Sequence, residues 1–143
     1  MVFRGTFEYT LDDRGRIPIP ARYRPSFARG AVLAESQDGC VEVYTAESYE
    51  EEAEFLLKQR PTRKKARRLR RGFFGRSWDV ELDGQGRILL PPRVRQRAGL
   101  EGAVLMVGRG ECLEIWNGQR WAEEEEAVDA EYEVTRESME ERP

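Results

Sequence analysis

The chain has 143 residues, 36% of them charged and 39% hydrophobic, and no apolar run approaches the roughly 20 residues of a membrane-spanning helix. It contains no histidine, which excludes histidine-based catalytic triads, imidazole general bases and ordinary zinc sites. The formal charge of −3 conceals a division: residues 1–118 carry 21 Lys/Arg against 17 Asp/Glu, whereas residues 119–143 carry 3 against 10.

Residues 3–11 alternate Phe3, Gly5, Phe7, Tyr9 and Leu11 with Arg4, Thr6, Glu8 and Thr10, predicting a half-buried strand. Asp12-Asp13-Arg14-Gly15 supplies a turn, because Asp bonds its own backbone and Gly accepts positive φ. Residues 16–19 return as a second strand, and Pro20 opens a short helix over 21–27. Strands over 31–34 and 40–44 follow, joined by a polar turn at 36–39. Thr45 caps a helix over 46–59 that carries Tyr49, Ala53, Leu56 and Leu57 inward and stops at Pro61. Residues 62–72 are the most basic segment; Ala66, Leu69 and Phe73 stand at helical spacing, with Gly72 at the helix end. A solvated connector and a polyanion-binding helix both fit that segment.

The second half repeats the plan. It reads as a strand over 78–82, a turn, a strand over 87–90, a helix over 92–98 closed by Gly99, and strands over 103–107 and 112–116. Asn117 caps a last helix with Trp121 inward, and beyond Glu126 the acidic density predicts frayed helix or disorder. The fold class is therefore mainly β with short helices (α+β).

That repetition is an internal duplication. Asp12, Gly15, Arg16, Ile17 and Pro20 return as Asp83, Gly86, Arg87, Ile88 and Pro91 at a constant offset of 71. Farther out, Cys40-Val41-Glu42-Val43-Tyr44 returns as Cys112-Leu113-Glu114-Ile115-Trp116 at an offset of 72. Repeats of this length set what counts as a domain. A chain this long suits one domain, which buries roughly 68–70% of its unfolded surface, so two interlocked halves are expected. The division is a first unit over 1–60, a basic connecting helix over 61–75, a second unit over 76–122 and an acidic tail over 123–143. Cys40 and Cys112, each inside an alternating apolar run, read as buried small hydrophobes, not as a disulfide or metal pair.

A Gly-Arg pair at a hairpin tip holds a guanidinium on a rigid element beside backbone N–H groups, an arrangement suited to phosphate oxygens. Equally, Asp12 stands four residues before Arg16 and could pair with it simply to hold the turn, which would leave Arg14 as the freer contact. Two such loops favour a pseudo-twofold DNA reader. Arg22 and Arg24 after the first motif, with Arg93, Arg95 and Arg97 after the second, would add counterion release if they share that face, and are otherwise solvated helix cations. The basic body and acidic tail point to a polyanionic partner that the tail opposes or regulates.

At these residues the chain resembles the MraZ family of bacterial transcriptional regulators, which carry two tandem AbrB-like units. The likeness rests on Phe3-Arg4-Gly5, the two Asp-to-Pro motifs at 12–20 and 83–91, and Glu114-Ile115-Trp116. The resemblance implies a swapped-hairpin β-barrel, a ring-shaped homo-oligomer, and binding to short direct repeats in double-stranded DNA upstream of the division and cell-wall gene cluster. It marks Asp12, Gly15, Arg16, Asp83, Gly86 and Arg87 as DNA-binding, with Arg14 beside them; the second copy has Gln85 in place of Arg14. Arg22, Arg24 and Arg93 are possible additional contacts. No cofactor, metal, small-molecule substrate, catalytic residue or membrane attachment is expected, and a chain opening without an apolar leader is expected in the cytoplasm, at the nucleoid. The alternative is an antitoxin-type interaction module that uses the acidic tail on a basic partner. An enzyme is the remaining class, with no nucleophile and base pair to support it.

Overall fold

Alternating apolar positions build the strands, and proline, glycine and Asx turns separate them. The computed structural model describes residues 1–139. Its elements are β1 (Thr6–Thr10), β2 (Arg16–Pro18), a 3-10 helix (Ala21–Phe27), β3 (Ala31–Glu35), β4 (Val41–Thr45), α1 (Ala46–Leu57), α2 (Lys64–Phe74), β5 (Ser77–Val80), β6 (Arg87–Leu89), α3 (Pro92–Ala98), β7 (Ala103–Gly108), β8 (Leu113–Asn117) and α4 (Gly118–Ser138).

Six strands form one antiparallel sheet in the order β1-β7-β8-β4-β3-β5, and β2 pairs with β6 as a separate two-stranded ribbon. The order shows an exchange between the halves. Strand β1 leaves its own unit to pair with β7, placing Phe7 opposite Met106, while β5 pairs with β3, placing Trp78 opposite Leu33. At the centre β4 joins β8, with Val41 opposite Ile115 and Val43 opposite Leu113. The ladder is open at β1 and β5; the ribbon covers the core with Ile17 and Ile88, paired with each other and fully buried. Both halves feed this one core, in which Leu33, Val43, Met106, Leu113 and Ile115 are also fully buried. Each such side chain contributes about 1.5–3 kcal/mol of transfer free energy, so neither half keeps a core without the other. Cys40 and Cys112 are free and buried, and burial pushes both thiols up.

Several elements differ from the sequence reading. The first strand starts at Thr6, because Gly5 turns the backbone at φ 100°, and Phe3 makes an isolated bridge to Gly110. Thr45 does cap α1, in a reciprocal box with Ser48, yet the helix ends at Leu57 and Leu57 is 52% exposed. Tyr49, Ala53 and Leu56 already define the inward face, and Leu57 lies about 100° round from it. Helix α2 runs through Gly72 to Phe74 and is capped by Gly75, because Phe73 and Phe74 both pack on the Tyr49 ring, 5.2 and 6.4 Å between centroids. Leu69, at helical spacing from Ala66 and Phe73, is exposed. The acidic stretch after Glu126 is neither frayed nor disordered through Ser138: α4 is one helix of 21 residues, started by the Asn117 side chain accepting from the Gln119 and Arg120 amides. The reading for 140–143 lies outside the described residues.

Candidate nucleic-acid interface

Asp12 builds the first loop. Its Oδ1 accepts from the Arg14 amide at 3.0 Å and the Arg16 amide at 2.8 Å, and its Oδ2 accepts from Arg16 Nε at 2.6 Å. Asp83 repeats the pattern, accepting from the Gln85 and Arg87 amides at 2.8 and 3.0 Å and from Arg87 Nε at 2.9 Å. Gly15 and Gly86 close the turns at φ 82° and 76°, left-handed values that favour glycine. The Arg16 amide, first among several donors, holds the Asp12 carboxyl down at about 2, and the Arg87 amide likewise lowers that of Asp83.

The ribbon brings the two loops together. The Ile19 amide donates to the Gly86 carbonyl at 2.9 Å, and the Leu90 amide donates to the Gly15 carbonyl at 3.0 Å. Strand alternation turns Ile17 and Ile88 into the core and leaves Arg16, Pro18, Arg87 and Leu89 on the outer face, Leu89 being 52% exposed. Arg87 Nη1 lies 3.7 Å from Asp12 Oδ2, so Asp12 faces the arginines of both loops. The alternatives for Arg16 combine: its Nε is committed to Asp12, while its terminal nitrogens carry no hydrogen bond among the described residues. Arg14 is exposed, and among the described residues only its amide is bonded.

Of the additional arginines, Arg24 belongs to this cluster through a crossed arrangement. Arg24 Nε donates to the Ile19 carbonyl at 2.9 Å and its side chain covers Gly86 of the other loop, where a Cβ would fall 2.3 Å from Nε. Arg95, its equivalent, donates to the Leu90 carbonyl at 3.1 Å and covers Gly15, where a Cβ would fall 2.6 Å from Nε. Each half thus lays a guanidinium across the other half's motif glycine. Arg22 lies over the Tyr23 ring at 5.9 Å. Arg93 and Arg97, one helical turn apart, turn to Glu35 at 3.9 and 2.5 Å, away from the face of α3 that carries Arg95.

The crossed role of Arg24 and Arg95 was not readable from periodicity, although an arginine retained at an offset of 71 was its signal. A second cluster also escaped. Glu42 and Glu114 face each other across β4 and β8, and Arg109 Nη1 bridges them at 2.5 and 3.0 Å. Burial raises the Glu42 carboxyl, against the lowering effect of Arg109. Opposed carboxylates cost stability when unpaired, so Arg109 holds the central strand pair together. An acid at the same place in both apolar strands was the available sign.

The fold and site define a class: a two-unit β protein with exchanged strands, which sets paired Asp-held arginine loops on a shared ribbon. The family model described as "MraZ protein, putative antitoxin-like" matches residues 2–72 and again 73–141. Proteins named "Transcriptional regulator MraZ" are similar along nearly the whole chain. That of Thermomicrobium roseum is 40% identical over 91% of this chain and 92% of its own length. Those of Heliobacterium modesticaldum and Moorella thermoacetica are 36% and 38% identical, each over 96% of both chains. The chain belongs to the MraZ family.

Proposed function

We propose that the protein is a sequence-specific DNA-binding transcriptional regulator whose β2–β6 ribbon and flanking loops meet short direct repeats upstream of the division and cell-wall genes. One observation carries this reading: two Asp-anchored loops stand side by side and present Arg14, Arg16 and Arg87 on one rigid surface. An antiparallel ribbon has the width that a major groove of about 12 Å admits, and guanidiniums beside it suit phosphates and guanine edges. The names of the relatives support the regulatory role. The reading places the protein in the cytoplasm at the nucleoid, as a ring-shaped homo-oligomer whose repeated ribbons bind successive operator repeats and add up through effective concentration. The first unit over 1–60, the connector over 61–75, the second unit over 76–122 and the tail over 123–143 serve this arrangement.

The antitoxin-like description and the exposed acidic helix favour a second reading, in which α4 binds a basic partner protein. Electrophoretic titration of a direct-repeat duplex beside a scrambled duplex, each at two salt concentrations, tests the first. Preference for the direct repeat that persists as salt rises supports it. Equal, weak and salt-abolished binding to both duplexes favours the second reading.

A further inference from the structure

The repeat leaves one helix without its counterpart. At an offset of 72, α1 residues Tyr49, Ala53 and Leu56 correspond to Trp121, Glu125 and Val128 of α4. In the first half the chain turns after α1, and α2 packs back on it, with Phe73 stacked on Tyr49 and Arg70 Nη2 donating to the Leu57 and Gln59 carbonyls. In the second half α4 runs straight on. Val128 and Tyr132, one turn apart, are 43% and 57% exposed, and α4 has no buried residue.

The charges are complementary. Helix α2 carries six cations and no acid in 11 residues, whereas α4 carries eight acids and two arginines in 21. Beside α2 lies an open groove of about 820 Å³ whose lining includes apolar Leu56, Phe73, Val94 and Ala98 and the cations Lys65, Arg68 and Arg76. Among the acids that line it, Glu35 is held by Arg97, and Glu42 and Glu111 by Arg109, while Asp38 and Glu52 are without an ion-pair partner among the described residues, against the three cations Lys65, Arg68 and Arg76. On α4, Glu124, Glu125, Asp129 and Glu131 flank the Val128–Tyr132 stripe, with Arg136 donating to the Tyr132 hydroxyl at 3.2 Å.

We propose that the Val128–Tyr132 face of α4 docks in the α2 groove of a second copy of this chain, supplying the helix–helix contact that the second half lacks. The same chain's α4 does not reach its own groove. Arg120 pins the helix start to the Gly39 and Arg97 carbonyls, and the stripe lies roughly 12–18 Å farther along a continuous helix. The contact is head to tail, so each copy offers one helix and one groove. It rests on the self-association in the proposed function and not on the reading of the loops.

Two charge-reversed full-length chains test it by sedimentation at about 0.1 mM. One carries Lys65→Glu with Arg68→Glu, the other Glu124→Arg with Glu131→Arg. Each alone is expected to dissociate with a dissociation constant raised at least about tenfold, and an equimolar mixture is expected to recover the wild-type mass, because reversed helix meets reversed groove. Val128→Asp is expected to dissociate alone and to stay dissociated when mixed with the helix-reversed chain, whereas with the groove-reversed chain, whose helix is intact, it is expected to form no more than a one-contact pair. Wild-type mass in each reversed chain alone, or no recovery on mixing, overturns the docking while leaving self-association standing. A monomeric wild-type chain overturns both.

Discussion

The two motif loops share a skeleton and differ at the tip. Both have an aspartate that accepts from two amides and one arginine Nε, and both have a left-handed glycine covered by the other half's arginine. At the variable positions, Asp13 and Arg14 in the first loop face Gly84 and Gln85 in the second. What the duplication retains is the scaffold that fixes Arg16 and Arg87; what it varies is the exposed residue beside them. Asp12 additionally faces both arginines, so the first loop holds part of the second in place.

The largest effect is expected from breaking the crossed packing. Gly86→Ala puts a Cβ 2.3 Å from Arg24 Nε at a φ of 76° and should destabilise by about 1–3 kcal/mol, read as a lowered denaturant midpoint at unchanged slope. Gly15→Ala should act similarly through Arg95, and a clear loss at one glycine with none at the other would break the equivalence of the loops.

Next comes the difference between the aspartates. Asp12→Ala should weaken DNA binding about tenfold, and Asp83→Ala less, because Asp12 faces two arginines and Asp83 one. Equal losses would remove the asymmetry. Both carboxyls sit below their ordinary range, so their contribution to stability is complete above about pH 4 and is lost as pH falls below it, for Asp12 toward about 2. An acid titration of Asp12→Asn should therefore be flatter than wild type across that window.

The smallest effect is expected at the tips. Arg14→Gln should lower the slope of log affinity against log salt by about one and leave stability unchanged, and Gln85→Arg should raise it by about one. A melting temperature moved by either exchange would mean that the tips belong to the scaffold.

The loops were legible because Asp, Gly and Arg at fixed spacing state their own hydrogen bonding. The caps at Thr45 and Asn117, and the left-handed stop at Gly99, were legible for the same reason. A repeat shows which residues are equivalent and not which touch, so β1 on β7, Arg24 on Gly86 and Arg95 on Gly15 emerged only with the fold. Helix ends governed by distant packing were also hidden: Phe73 and Phe74 carry α2 past Gly72 because Tyr49 is there to receive them. The length of α4 was obscured by its acids, which composition alone assigns to a solvated tail.

The central claim is that Arg16 and Arg87 on the shared ribbon meet DNA. It is tested most directly by the salt dependence of binding to a direct-repeat duplex for wild type and for Arg16→Ala with Arg87→Ala, at matched mass and melting temperature. The account predicts a slope smaller by about two per chain and an affinity lower by about a hundredfold at moderate salt. A folded double variant with unchanged slope and affinity would contradict it.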